Sequence, residues 1–170
     1  MIHESNKVND LVITEGKLNF EDIYSKSYFP KEYEEDLKKA NLLLIPYEGF
    51  RTIEDPVFPE ETMKFYEFIK DYSDERLIGD ICISDDNYVE LELHADLISL
   101  ANMVIDTAVL PITLGLITNY ISQKLQERKG DLKIKVNMTV VDGEKSTTIS
   151  YEGDADKFED TIKAVNQINN

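Results

Sequence analysis

The chain has 170 residues and a formal charge of −16, with 34 acidic side chains against 18 basic ones and a single cysteine. This length suits one domain with a real core and is too short for two full domains. The charge argues against nucleic-acid phosphate and anionic lipid as partners. With Cys82 alone, an intrachain disulfide or a CxxC redox site is excluded.

The acidity is uneven. Residues 1–96 hold 24 acids and 10 bases, whereas residues 97–170 hold 10 acids and 8 bases. The amino-terminal half therefore carries the field, which would steer a basic protein or peptide toward it. The opening Met1 to Lys7 shows no basic region followed by an apolar run, so a cytoplasmic location is the expectation.

Residues 8–13 read as a short opening strand, and residues 18–29 have no decisive period. Pro30 begins a predicted helix whose Tyr33, Leu37 and Ala40 share a face, with Glu32, Glu34, Glu35 and Asp36 on its early turns, where acids suit the dipole. The run Leu42-Leu43-Leu44-Ile45, closed by Pro46, predicts a buried strand. A long loop follows through Gly49, Pro56 and Pro59. Met63, Phe65, Tyr66, Ile69 and Tyr72 then give the next helix a broad apolar face.

From Leu77 the period changes to two. Residues 77–83 and 88–94, separated by Ser84-Asp85-Asp86-Asn87, predict an antiparallel hairpin with Val89, Leu91 and Leu93 on one face and Glu90, Glu92 and His94 on the other.

Between Leu97 and Gln123 the only charged side chain is Asp106. A bilayer span needs about 20 apolar residues, so length alone allows one. Asp106 near the middle, the interspersed threonines and the basic residues that follow at Lys124, Arg128 and Lys129 argue against it. Pro111 predicts two helical pieces instead, roughly 96–108 and 112–128. The first is apolar nearly all round. The second has a stripe of Leu114, Ile117, Ile121 and Leu125, widened by Leu116 and Tyr120.

The carboxyl-terminal pattern is plain. Leu132, Ile134, Val136, Met138 and Val140 alternate with polar residues, Asp142-Gly143 signals a turn, and residues 146–151 return as a strand. A final helix after Gly153, capped by Asp154 or Asp156, places Phe158, Ile162, Val165 and Ile168 on one side. The expected fold is a single α+β domain over residues 1–170, with a mainly antiparallel sheet of four to six strands, packed helices, and a strand-turn-strand-helix unit at its end.

Chemistry is scarce. Glu90, Glu92 and His94, with Asp80, Asp85 and Asp86 nearby, form a set from which a divalent-metal hydrolase or nuclease could be built. The simpler reading is that alternating acids on a strand are what a solvated sheet face looks like. No glycine-rich phosphate loop, HExxH helix, EF-hand or nucleophile elbow is present, and no cofactor is implied.

The loop 47–59 carries Tyr47, Phe50, Arg51 and Phe58, a composition suited to recognition. The apolar helices offer Met103, Ile117 and Tyr120 as a surface that another chain would complete. The expected role is a non-catalytic acidic adaptor, inhibitor or regulatory subunit that binds a protein, a basic one being suited to its charge, through these residues, or associates with itself. The metal-dependent hydrolase and a membrane-associated accessory protein using residues 97–123 are the alternatives. Direct nucleic-acid binding and membrane insertion are not expected.

Overall fold

The computed structural model describes residues 10–92, 97–127 and 131–169, the last five without their side chains. Residues 8 and 9 of the expected opening strand, Leu93 and His94 of the expected hairpin, Arg128 and Lys129, and the Val165 and Ile168 side chains lie outside the described residues.

The chain builds a seven-stranded mixed sheet between two helical layers. Its strands are β1 (Asp10–Glu15), β2 (Leu42–Ile45), β4 (Gly79–Ile81), β6 (Leu97–Ser99), β7 (Asn102–Asp106), β8 (Lys133–Asp142) and β9 (Lys145–Asp154). They are ordered β1-β9-β8-β7-β2-β4, with β6 also against β8. A separate two-stranded ladder joins β3 (Phe58–Pro59) and β5 (Glu90–Leu91). The helices are α1 (Phe20–Tyr24), α2 (Glu34–Lys39), α3 (Thr62–Tyr72), α4 (Leu110–Glu127) and α5 (Phe158–Asn169).

The α+β class, the packed helices and the C-terminal strand-turn-strand-helix unit are as the sequence predicts. In that unit Gly143 supplies the positive φ of 65° for the tight turn between β8 and β9. The long ladders β1–β9 and β9–β8 are antiparallel, as is β2–β7. Pairing is parallel at β2–β4, β6–β8 and β7–β8. Parallel neighbours need a crossover, and α3 supplies it between β2 and β4, α4 between β7 and β8.

The predicted hairpin of residues 77–83 and 88–94 does not form. β4 pairs with β2 and β5 with β3, while Asp85–Asn87 make a 3-10 turn. Alternation showed that these residues are extended, but it carries no information about which strand they meet.

The predicted first helix, residues 96–108, is also corrected. Leu97 to Asp106 form β6 and β7, which run along β8 as one interrupted strand. Ser99 pairs with Lys135 and Met103 with Met138, so four steps on one side match three on the other. The extra residue is a bulge around Leu100 and Ala101.

The middle of β7, Met103 to Ile105, is apolar on both sides because both of its faces are covered. Met103 and Ile105 join the core under α3, α4 and α5, and Val104 joins the smaller core under α1 and α2. A strand buried on two faces loses the polar half of its period and reads like a buried helix.

Asp106 and Pro111 then find their local roles. The Asp106 carboxylate accepts from the Ala108 amide at 2.9 Å, capping the 3-10 turn that leads into α4. Pro111 is the second residue of α4, where its missing N–H is not needed, so it opens the helix rather than dividing one.

β2 shows the same two-sided burial: Leu42 and Leu44 face the larger core, Leu43 and Ile45 the smaller. No helix among the described residues is long and apolar enough to cross a membrane.

Candidate functional site

The residues nominated from the sequence divide into interior and surface. Phe58, Met103, Ile117 and Tyr120 are all buried in the larger core, where they hold this chain's own layers together rather than facing outward. Tyr47, Phe50 and Arg51 remain at the surface loop. The Tyr47 main chain bridges to Val57 in both directions, and its hydroxyl donates to the Leu100 carbonyl at 3.1 Å. Phe50 packs against Tyr47, and the Arg51 guanidinium lies 4.8 Å from the Phe50 ring centre. This loop is therefore stitched to the fold by its aromatic residues.

The acidic strand set does not stay together on one sheet face. Asp80 lies in the main sheet and Glu90 in the small ladder. The Glu90 carboxylate accepts from the Met63 amide at 3.1 Å and from the Tyr88 hydroxyl, which occupies it at the start of α3. His94 lies outside the described residues. Among the described residues, no group of three or more His, Cys, Asp or Glu side chains is placed to hold a metal ion.

What the fold does assemble is a cleft of about 440 Å³ over the outer edge of β4. α2 and the turn before it contribute Tyr33, Asp36 and Leu37, and α3 contributes Met63 and Tyr66. The floor is Asp80, Ile81 and Ile83, closed by Asp85 and Tyr88. Spacing explains the walls: Tyr33 and Leu37 are four residues apart, Met63 and Tyr66 three, so each pair shares a face. The facing arrangement exists because β4 pairs with β2, setting α2 and α3 on opposite sides of one strand.

The polar chemistry of the cleft is one-signed. Among the described residues its ionic lining groups are the carboxylates of Asp36, Asp80 and Asp85, set among three tyrosines and an aliphatic floor. Burial pushes the Asp80 carboxyl above its ordinary value and Asp36 adds to this; the Ile81 amide, Lys70 and Tyr66 oppose it without reversing it. Just outside, the Lys70 ammonium lies 5.0 Å from the Tyr66 ring centre, an internal example of how these aromatic faces receive a cation.

At the outer edge of β4 beneath the cleft, both main-chain groups of Ile81 are already bonded. Asp80 Oδ1 accepts from the Ile81 amide at 2.8 Å, and the Ile81 carbonyl accepts from the Ile83 amide at 3.0 Å. A ligand here would be read by side chains and charge rather than by main-chain pairing. Sequence reasoning missed this site. Tyr33 and Met63 belong to apolar helix faces in the sequence pattern, yet both stay substantially exposed at the cleft.

The chain matches no known family profile, no curated protein and no solved structure.

Proposed function

We propose that the protein is a non-catalytic, acidic binding module, an adaptor, inhibitor or regulatory subunit, whose β4 cleft receives a basic segment of a protein partner. The observation that carries this reading is the composition of the cleft: three carboxylates, three tyrosines, and no Lys, Arg or His among the described residues that line it. A lysine or arginine side chain meets each element of that lining. Its alkyl stem lies on Leu37, Ile81 and Ile83, its charge faces the aspartates, and the tyrosine rings flank it. The overall charge of −16 supports the same reading at long range by raising the encounter rate with a basic partner.

The test is fluorescence anisotropy with labelled Lys/Arg-rich peptides and a Glu-rich control, using the whole chain and the double variant D36N/D85N. The wild type should bind the basic peptides alone, more weakly as salt is added, and the variant should bind them about tenfold less well. Equal binding by the variant, or no binding of basic peptides, would refute the proposal.

A further inference from the structure

The two outer edges of the sheet are finished differently. At β4 the strand is three residues long and the outward groups of Ile81 are taken by Asp80 and Ile83. At the other end, β1 is six residues long, pairs with β9 in unbroken register, and contains no proline, lysine or bulge. Proline, lysine and bulges are among the usual devices against edge-to-edge pairing, and the charges of β1 are confined to Asp10 and Glu15 at its ends.

The direction of its main chain follows from one bond. The Gly16 amide donates to the Ser146 carbonyl directly opposite at 2.8 Å. Antiparallel alternation then points residues 10, 12 and 14 toward β9, and turns the N–H and C=O groups of Leu11, Ile13 and Glu15 outward. In the middle of this edge Val12 is 53% exposed and Ile13 44%.

We infer that β1 is a homodimerisation edge, pairing antiparallel with β1 of a second copy about a two-fold axis through Ile13. A two-fold contact must be self-complementary. The three outward residues are symmetric about Ile13, so Ile13 meets its counterpart while Leu11 meets Glu15 and Glu15 meets Leu11.

Side chains agree with that register. Val12 falls opposite Thr14, Asp10 opposite Gly16, and no two carboxylates stand directly across from each other. Shifting the axis to lie between Val12 and Ile13 would oppose Asp10 to Glu15 and bring outward groups against inward ones. A basic strand is the less suited occupant, since the exposed centre of β1 is aliphatic and its acids lie only at the ends.

The inference is independent of the cleft, and salt separates the two. Each copy carries −16, so screening should strengthen self-association while it weakens a basic ligand in the cleft.

Sedimentation velocity on the whole chain, with I13K, I13E and their equimolar mixture, tests the register. The wild type should dimerise more tightly as salt rises. Each variant alone should associate about tenfold or more weakly, because like charges meet at the axis, and the mixture should recover the dimer. Circular dichroism checks that the variants fold. A wild type that stays monomeric from micromolar to millimolar concentration overturns the inference, as do folded variants that dimerise like the wild type or a mixture that stays monomeric.

Hydrogen exchange of the wild type provides a measurement that needs no variant. Protection of the Leu11, Ile13 and Glu15 amides should rise with protein concentration. Protection that ignores concentration would show the edge covered from within one chain, or not at all, and would equally overturn the inference.

Discussion

The Tyr120 hydroxyl of α4 donates to Glu61 Oε2, at the N-terminal end of α3, over 2.6 Å, and the Lys124 ammonium lies 3.2 Å from the same oxygen. The Lys124 and Glu61 side chains are 13% and 8% exposed, so this is an ion pair largely removed from water. Burial alone would raise the Glu61 carboxyl. The Tyr120 hydroxyl and the Lys124 ammonium outweigh it together and hold the group below its ordinary value. The cluster ties α3, which forms a wall of the cleft, to the central helix α4.

Removing the Glu61 charge leaves Lys124 with the exposed Glu127 carboxylate at 3.8 Å in place of a buried partner at 3.2 Å. E61Q should cost about 3 kcal/mol of unfolding free energy near neutral pH, and Y120F about 1 kcal/mol. Because the folded value of Glu61 lies below its unfolded value of 4.5, its contribution is complete above that pH and is lost as pH falls through the folded value. Urea titrations of wild type and E61Q should therefore converge in acid, and a gap that stayed constant with pH would contradict the assignment.

Asp80 has the opposite sign. Its folded value is raised, by burial first, so holding it ionised costs stability above that value, and the cost disappears as pH falls below the ordinary 3.8. D80N keeps an oxygen for the Ile81 amide while removing the charge, and should stabilise the protein near neutral pH. D80A leaves the Ile81 amide without its partner and should destabilise it by about 1 kcal/mol. Thermal unfolding of the two variants at neutral pH checks the contrast, and D80N should also weaken basic-peptide binding.

Two-sided burial of the central strands has a simple mutational signature. Leu43 and Leu44 are adjacent, both fully buried, and belong to different cores. L43A and L44A should each cost about 2 to 5 kcal/mol in chemical denaturation. In a sheet with one solvated face, only one of the pair would show so large a loss.

The Cys82 thiol is pushed up to about 12, by burial first and by Asp80 second. At neutral pH it should be almost entirely protonated and inert. A thiol-reactive chromophore should leave it untouched in the native protein and label one equivalent once urea unfolds the chain; fast native labelling would mean that the smaller core opens readily.

Much of the fold was legible locally. The alternation from Leu132 to Val140, the Asp142-Gly143 turn and the stripe through Phe158 and Ile162 each encode an element within a short window, and β8, β9 and α5 stand where those signals put them. Leu42 to Ile45 was legible as a buried strand because four consecutive apolar residues next to a proline leave little else. The cleft was not legible. Tyr33, Tyr66, Asp80 and Tyr88 are far apart in sequence, and nothing in any one segment shows that α2 and α3 flank the same strand.

Sequence by itself determined which segments are helical, extended or turning wherever one face of the element is wet, since a solvated face imposes a period of 3.6 or 2 on the chain. It also determined the acidic field. Tertiary structure decided the rest: that Leu97 to Asp106 is a strand, that β4 joins β2 rather than β5, and that β1 and β4 are the outer strands of the sheet. Those choices depend on partners. A segment covered on every side keeps no periodic record of its own geometry, and hydrogen bonds between strands are made by main-chain groups that every residue but proline shares.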